Sequence, residues 1–214
     1  MTPSPHSFGP EEFQALANVS RETLGRLKLF VGLLRDWNSR INLVSAKSLD
    51  DVWRRHVWDS AQLAEWIPAS TTSLIDLGTG AGFPGLILAL VLRERGGIKT
   101  VLYEATTKKC SFLAEAAART GAPVEIRNGR IENADREAFD VVTARALAPL
   151  TKLLSYAQRF QGQVTTNLFL KGQSLGAELT EARKSWKMKV MKHPSRSDPT
   201  GTVLEVRELR HAGR

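Results

Sequence analysis

From Glu11 the chain reads as helical, and Leu24, Leu27, Phe30, Val31, Leu34 and Trp37, three or four positions apart, form one stripe of an amphipathic helix. Residues 1–10 hold three prolines and little apolar content, which predicts a loose tail. Asn38 to Lys47 is polar and irregular, a connection. Ser48 with Asp51 three positions on resembles a capping box, so a second helix is predicted from there to about Ile67, stopped by Pro68. At 100° per residue Trp53, Val57, Leu63, Ala64 and Ile67 share one arc of it. His56 and Ser60 fall inside that arc and Asp59 lies on its flank. Three hydrogen-bonding groups on a buried face need partners. They form either a satisfied polar knot that docks the helical arm or a group near substrate. Arg54 and Arg55 project from the other side, as solvated charges unless RNA lies there.

Beyond residue 70 the period changes to strand–helix alternation. Strands are predicted near 73–77, 98–103, 123–127, 139–144, 163–170, 186–192 and 202–208, and helices near 84–95, 107–119, 149–160 and 174–184. Helix-length gaps between the first five strands argue parallel crossovers in one sheet with helices on both faces. The last two strands flank the loop signal His193–Pro199 and read as an antiparallel pair closing one edge. The pattern divides the chain into a tail (1–10), a helical extension (11–70) and an α/β domain (71–214).

Composition adds bounds. At 214 residues and 42% hydrophobic content, the chain can bury a core with room for an appendage. The longest apolar run, Gly85–Leu92, is far short of the roughly 18 residues of a membrane span. No basic-then-apolar leader opens the chain, and a single cysteine excludes an internal disulfide framework. A soluble, cytoplasmic protein is expected. The net charge of +8 is uneven: residues 1–72 are balanced, and the excess grows toward the C-terminus. That distribution favours a polyanionic partner, nucleic acid above all.

The candidate chemistry centres on Ser73–Gly85, an apolar run ending in Asp76-Leu77-Gly78-Thr79-Gly80-Ala81-Gly82-Phe83-Pro84-Gly85. A buried strand, a glycine turn and a helix start make a nucleotide-type cofactor site at the carboxyl end of a first strand. Gly80-x-Gly82-x-x-Gly85 matches the dinucleotide fingerprint, with Glu104 about twenty residues on as a ribose-binding acid. Asp76 argues otherwise, because a carboxylate beside the turn repels a pyrophosphate and suits a cationic ligand. Little chain remains for a hydride-acceptor domain. The turn therefore suits S-adenosylmethionine, with an NAD-dependent oxidoreductase and a non-catalytic RNA-binding protein as the rival readings.

Glu104 is the candidate for the ribose hydroxyls, and Ile131 with Glu132 for the adenine. Phe83 packs either beside the methionine part or in the core. Lys108 and Lys109 occupy a helix first turn, which disfavours cations, and are either a solvated pair or candidates for phosphate contact. Arg145 and Lys171 lie at the carboxyl edge of the fourth and fifth strands, where ligand chemistry gathers. No metal-spaced His/Cys/Asp cluster, nucleophile elbow or Asn-Pro-Pro-aromatic motif occurs, and Cys110 reads as a buried, inert thiol.

Four blocks resemble one family: Trp37-Asn38 with Asn42-Leu43-Val44-Ser45; Arg55-His56-Val57-Trp58-Asp59-Ser60; Asp76 to Gly85; and Arg145-Ala146-Leu147-Ala148-Pro149-Leu150 with Leu170-Lys171-Gly172. The chain resembles the bacterial 16S ribosomal RNA guanine-N7 methyltransferases (RsmG, or glucose-inhibited division protein B). The resemblance implies a class I, Rossmann-like seven-stranded fold with the last strand antiparallel and a helical extension. It implies methyl transfer from S-adenosylmethionine to N7 of guanine 527 in the 530 loop of 16S rRNA, within the 30S subunit or an assembly intermediate. Cofactor contacts then map to Gly78, Phe83, Ile131, Glu132 and Arg145, beside the Asp76, Gly80, Gly82 and Glu104 of the turn argument. Arg145 and Lys171 are expected to flank the guanine, and Arg54, Arg55, Lys108 and Lys109 to meet RNA. Guanine N7 has a free lone pair, so alignment without a general base suffices, worth about 7–11 kcal/mol when ideal. No metal and no second subunit are expected.

Overall fold

The computed structural model describes residues 8–213. Residues 1–7 of the expected tail lie outside that range. Phe8 packs beneath Arg54, whose guanidinium carbon stands 5.2 Å from the ring centroid, and Pro10 already opens the first helix, α1 (Pro10–Ala17). Asn18 then takes a left-handed conformation and Ser20 caps α2 (Arg21–Asn38), accepting from the Thr23 amide. The predicted stripe lies on α2, where Leu27, Phe30 and Leu34 are fully buried at roughly 1.5–3 kcal/mol each.

The next helix is less regular than its periodicity predicts. It starts three residues earlier, because Ser45 and not Ser48 accepts the capping amide, giving α3 (Ala46–Asp50). A π-helical segment over Trp53–Trp58 leads into α4 (Asp59–Ala61) and a 3-10 turn over Gln62–Glu65. The wider turn keeps Trp53, His56, Val57 and Trp58 all buried, with Trp53 and Trp58 packed on Phe13 at 5.7 and 6.1 Å. An ideal α-helical repeat leaves one of these bulky rings outside the apolar arc.

The alternation that follows matches the strand and helix pattern closely. The elements are β1 (Ser73–Leu77), α5 (Gly85–Val91), β2 (Lys99–Glu104), α6 (Thr107–Thr120), β3 (Val124–Asn128), β4 (Phe139–Arg145), α7 (Leu150–Ala157), β5 (Gln161–Lys171), α8 (Leu175–Ala182), β6 (Trp186–Pro194) and β7 (Thr202–His211). They form one seven-stranded sheet in the order β3-β2-β1-β4-β5-β7-β6. The first five strands are parallel, and β7 runs antiparallel to both β5 and β6. The order reverses between β1 and β4, so the ligand crevice of such a sheet lies beyond their carboxyl ends.

The N-terminal helices pack into one apolar cluster with α5 and α6, through Phe30, Phe83 and Phe112 among others. Trp37 adds a hydrogen bond from its indole nitrogen to Glu115 at 3.0 Å. A second cluster fills the opposite face of the sheet, under α7 and α8. Among the described residues no helix is long and apolar enough to cross a membrane.

Candidate active site

Gly78 leaves β1 with a φ of +63°, and a Cβ there would overlap the Leu147 side chain. Gly80, at +59°, has nothing nearer than 3.9 Å to an added Cβ, so a side chain would stand in the open cavity above the turn. That cavity, about 390 Å³, is walled by Gly78, Gly80, Glu104, Ile131, Leu147 and Tyr156, with Glu132, Lys109, Arg130 and Lys152 around it. Its size lies within the range of about 300–1,000 Å³ usual for small-molecule sites.

The amides of the turn are already committed. Gly80 donates to Glu104 Oε2 at 3.0 Å, Gly82 to the Thr79 carbonyl at 2.9 Å and Gly85 to Asp76 Oδ2 at 2.9 Å. A dinucleotide site needs those amides for a pyrophosphate, so the literal fingerprint does not describe a phosphate cradle here. Glu104 also accepts from the Thr106 amide at 2.8 Å and keeps further lone pairs toward the cavity. Tyr156 donates to Glu132 at 2.6 Å, and that hydrogen bond holds the Glu132 carboxyl below its usual range.

Asp76 lies under the turn and not in the cavity wall. It is fully buried, with Oδ1 accepting from Thr143 at 2.8 Å and Oδ2 from Gly85. Burial pushes its carboxyl up to about 6, against the pull of those hydrogen bonds. Gly85 is required there because a Cβ would overlap Asp76 and Leu102. Phe83 is also buried below the turn, stacked on His56 at 4.8 Å and edge-on to Phe30 at 5.5 Å. Cys110 is buried, its thiol pushed up by desolvation.

On the other side of the β4 end, Arg145 joins the helical arm. Its guanidinium donates to the Arg55 carbonyl at 2.9 Å, to Asp59 Oδ2 at 3.3 Å and to His56 Nδ1 at 2.7 Å, and lies 5.0 Å from the Phe83 ring centroid. Burial and the adjacent guanidinium hold His56 neutral, its pKa lowered to about 3, so the proton sits on Nε2. Asp59 Oδ1 accepts from Ser197 at 2.5 Å and from Gln62 at 3.1 Å. The satisfied-knot alternative therefore describes Asp59 and the Nδ1 of His56 through their contacts with Arg145, whereas among the described residues buried Ser60 Oγ and His56 Nε2 find no partner.

Lys171 is ion-paired to Glu178 at 2.5 Å. Arg54 and Arg55 are exposed on the wall of a neighbouring cavity, Lys108 is exposed, and Lys109 borders the cavity above the turn. The sequence pattern did not single out Gln62, Ser195, Ser197 or Leu147. Gln62 stands one helical turn after Asp59, the only signal it gives; the others are set by tertiary contact.

A family model described as rRNA small subunit methyltransferase G matches residues 23–199. The chain belongs to this family. A relative of that name from Parvibaculum lavamentivorans is 52% identical over 96% of this chain and 92% of its own. Another, from Rhodospirillum centenum, is 48% identical over 99% and 95%. Among solved structures, the O-methyltransferase TomG from Streptomyces achromogenes in complex with SAM superposes with a TM-score of 0.60 at 16% identity, covering 92% of this chain and 95% of that one. A SAM-dependent methyltransferase from Aquifex aeolicus gives 0.58 at 16%, covering 75% and 95%. At such identities the shared property is the class I methyltransferase fold. The family member described here is thus a methyltransferase acting on small-subunit ribosomal RNA, and its cofactor is S-adenosylmethionine. The open space over Gly80, the cavity-facing acid Glu104 and the apolar Ile131 fit that group.

Proposed function

We propose that the enzyme transfers a methyl group from S-adenosylmethionine to N7 of a guanine in 16S ribosomal RNA, guanine 527 of the 530 loop in the usual rRNA numbering. When bound, the cofactor supplies an electrophilic methyl carbon on a cationic sulfur. Glu104 would take the ribose hydroxyls, Ile131 and the main chain at Glu132 the adenine, and Gly78 and Gly80 the close approach of the amino-acid part. Asp76 acts one layer below, fixing the Gly85 amide and hence the shape of the turn.

The observation that carries the acceptor atom is how the titratable groups nearest Arg145 and Lys171 are committed. His56 is neutral with Nδ1 occupied by Arg145, Asp59 is tied to Arg145 and Ser197, and Glu178 to Lys171. Exposed Asp198 is held below the usual carboxylate range by the Thr200 amide and hydroxyl, which makes it a poor base. An amine or hydroxyl acceptor must lose a proton to a base, whereas guanine N7 carries a free lone pair and needs only alignment. Because N7 lies on the major-groove edge, the base must be looped out or unstacked to enter. Arg145 positions that pocket by holding the helical arm against the β4 end. Arg54, Arg55, Lys108 and Lys109 are the phosphate contacts, with a salt dependence to match. In this reading the protein works in the cytoplasm as a monomer on the 30S subunit or an assembly intermediate.

Mass-spectrometric mapping of N7-methylguanine in 16S rRNA, with and without the protein and labelled cofactor, tests the assignment. A single new N7-methylguanine in the 530 loop is the expected result. Methylation at another atom, or none, overturns it.

A further inference from the structure

Two cavities of about 590 and 260 Å³ lie on the substrate side of Arg145. They share Asp59, Arg145, Ala146 and Asp198, and Ala146 also borders the cofactor cavity. Ala146 takes a left-handed φ of +49°, the chain's way of turning at the point where the three spaces meet. A guanine with N7 toward Ala146 turns its N1–H and 2-amino donors away from the cofactor, and buried donors there need an acceptor.

The two carboxylates common to both cavities are Asp59 and Asp198. Asp59 is occupied by Arg145, Ser197 and Gln62. Asp198 Oδ1 accepts from the Thr200 amide and hydroxyl, both at 2.8 Å, which fixes the carboxylate plane. Among the described residues no donor reaches its Oδ2. The β6–β7 loop that carries it is anchored, since Gln62 bonds Ser195, Ser197 and the Arg196 amide, and Trp58 bonds the Arg196 carbonyl. His56 borders the larger cavity nine-tenths buried, its Nε2–H enclosed and without a partner among the described residues.

We propose that Asp198 reads the Watson–Crick edge of the target guanine, its carboxylate accepting from N1–H and the 2-amino group. This rests on the guanine-N7 reading above. Adenine presents an N1 acceptor and no 2-amino group on that edge, so the same carboxylate rejects it. Once RNA covers the loop, water no longer competes for the oxygen.

The test uses small ribosomal subunits reconstituted with rRNA carrying guanine or inosine, which lacks the 2-amino group, at the methylated position. The wild-type enzyme should favour guanine in kcat/KM by about tenfold. Asp198→Asn keeps an oxygen for Thr200 but turns an amide donor toward the base. It should bring the ratio to within about threefold, with S-adenosylhomocysteine affinity and Tm unchanged. Asp198→Ser, which keeps the turn through its hydroxyl, should behave likewise. A variant that keeps the tenfold preference, or a wild type that shows none, overturns the role of Asp198 while leaving N7 transfer standing. No N7-methylguanine with the wild-type enzyme overturns the underlying reading, and this one with it.

Discussion

Around Gly78 and Gly80 the turn is set by main-chain conformation, and its acid Glu104 closes hydrogen bonds 2 and 24 residues away. Around Arg145 the wall is made of side chains whose partners lie 86 to 90 residues back, while Asp59 reaches 138 residues forward to Ser197. The first region takes its shape from one strand–turn–helix unit and the carboxyl ends of its neighbouring parallel strands. The second exists only when the helical arm, the β4 end and the β6–β7 loop have all docked. A cofactor shared by many enzymes can be held by local backbone. A particular base in a particular RNA needs groups imported from elsewhere in the chain.

The sharpest way to break this contrast is Arg145→Ala. It takes the cationic partner from Asp59 and the donor from His56 Nδ1, at a cost of about 3 kcal/mol by analogy with other broken buried pairs. Methylation should fall about hundredfold, because the arm that walls the proposed substrate side loses its register with β4. S-adenosylhomocysteine affinity, read by calorimetry, should change less than threefold. Arg145→Lys should recover stability in part and activity hardly at all, since an ammonium cannot serve three acceptors in one plane. Equal loss of cofactor affinity and methylation would show the two regions to be one.

The converse change is Gly85→Ala. Its Cβ overlaps Asp76 and Leu102 and costs about 1–3 kcal/mol by overpacking. It should weaken cofactor affinity while leaving the Ser195–Gly201 loop as protected from hydrogen exchange as in the wild type. Exchange at the loop rising in step with the turn would break the proposed independence.

The same contrast explains what the sequence made legible. The seven strands, their parallel crossovers and the antiparallel final pair follow from local periodicity, which burial on both faces of a parallel sheet enforces. The glycine turn and Glu104 were visible for the same reason. Asp76 was visible as chemistry but not as placement: a carboxylate near a turn can face a ligand or brace the turn, and only the Gly85 amide decides. Arg145 and Lys171 stood out as lone cations at strand ends, yet their partners Asp59 and Glu178 are set by tertiary docking. The break at Asn18 and the π-helical segment at Trp53–Trp58 escaped because they serve ring packing against Phe13, which no single-helix period encodes.

Gln62→Leu loosens the loop without touching Arg145. It removes the bonds to Ser195, Ser197 and Arg196 and should cost about 1–2 kcal/mol, with the Arg196 amide exchanging faster. Guanine selectivity should fall while cofactor affinity holds. An unchanged Arg196 exchange rate would mean that the contacts with Trp58, Asp59 and Glu65 suffice to hold the loop.

The smallest net effect in the wild type is in pH, where the two regions pull in opposite directions. His56 stays neutral in the folded protein, its pKa lowered from 6.5 to about 3 by burial first and Arg145 second. Between those values the unfolded chain binds the extra proton, so acidification removes stability, about 2 kcal/mol by pH 5. Asp76, raised from 3.8 to about 6 by burial, does the reverse. Between its two values the folded protein binds the extra proton, and acidification to pH 5 adds about 1 kcal/mol. The opposed contributions leave the wild type with a shallow dependence from these two sites. His56→Gln keeps an acceptor for Arg145 and removes the titration, so denaturant midpoints should show its stability, relative to the wild type, rising by about 2 kcal/mol between pH 7 and pH 5. Parallel curves for the two proteins would mean that His56 takes up its proton in the folded protein by giving up the hydrogen bond from Arg145, and that the junction is softer to charge than its hydrogen bonds indicate.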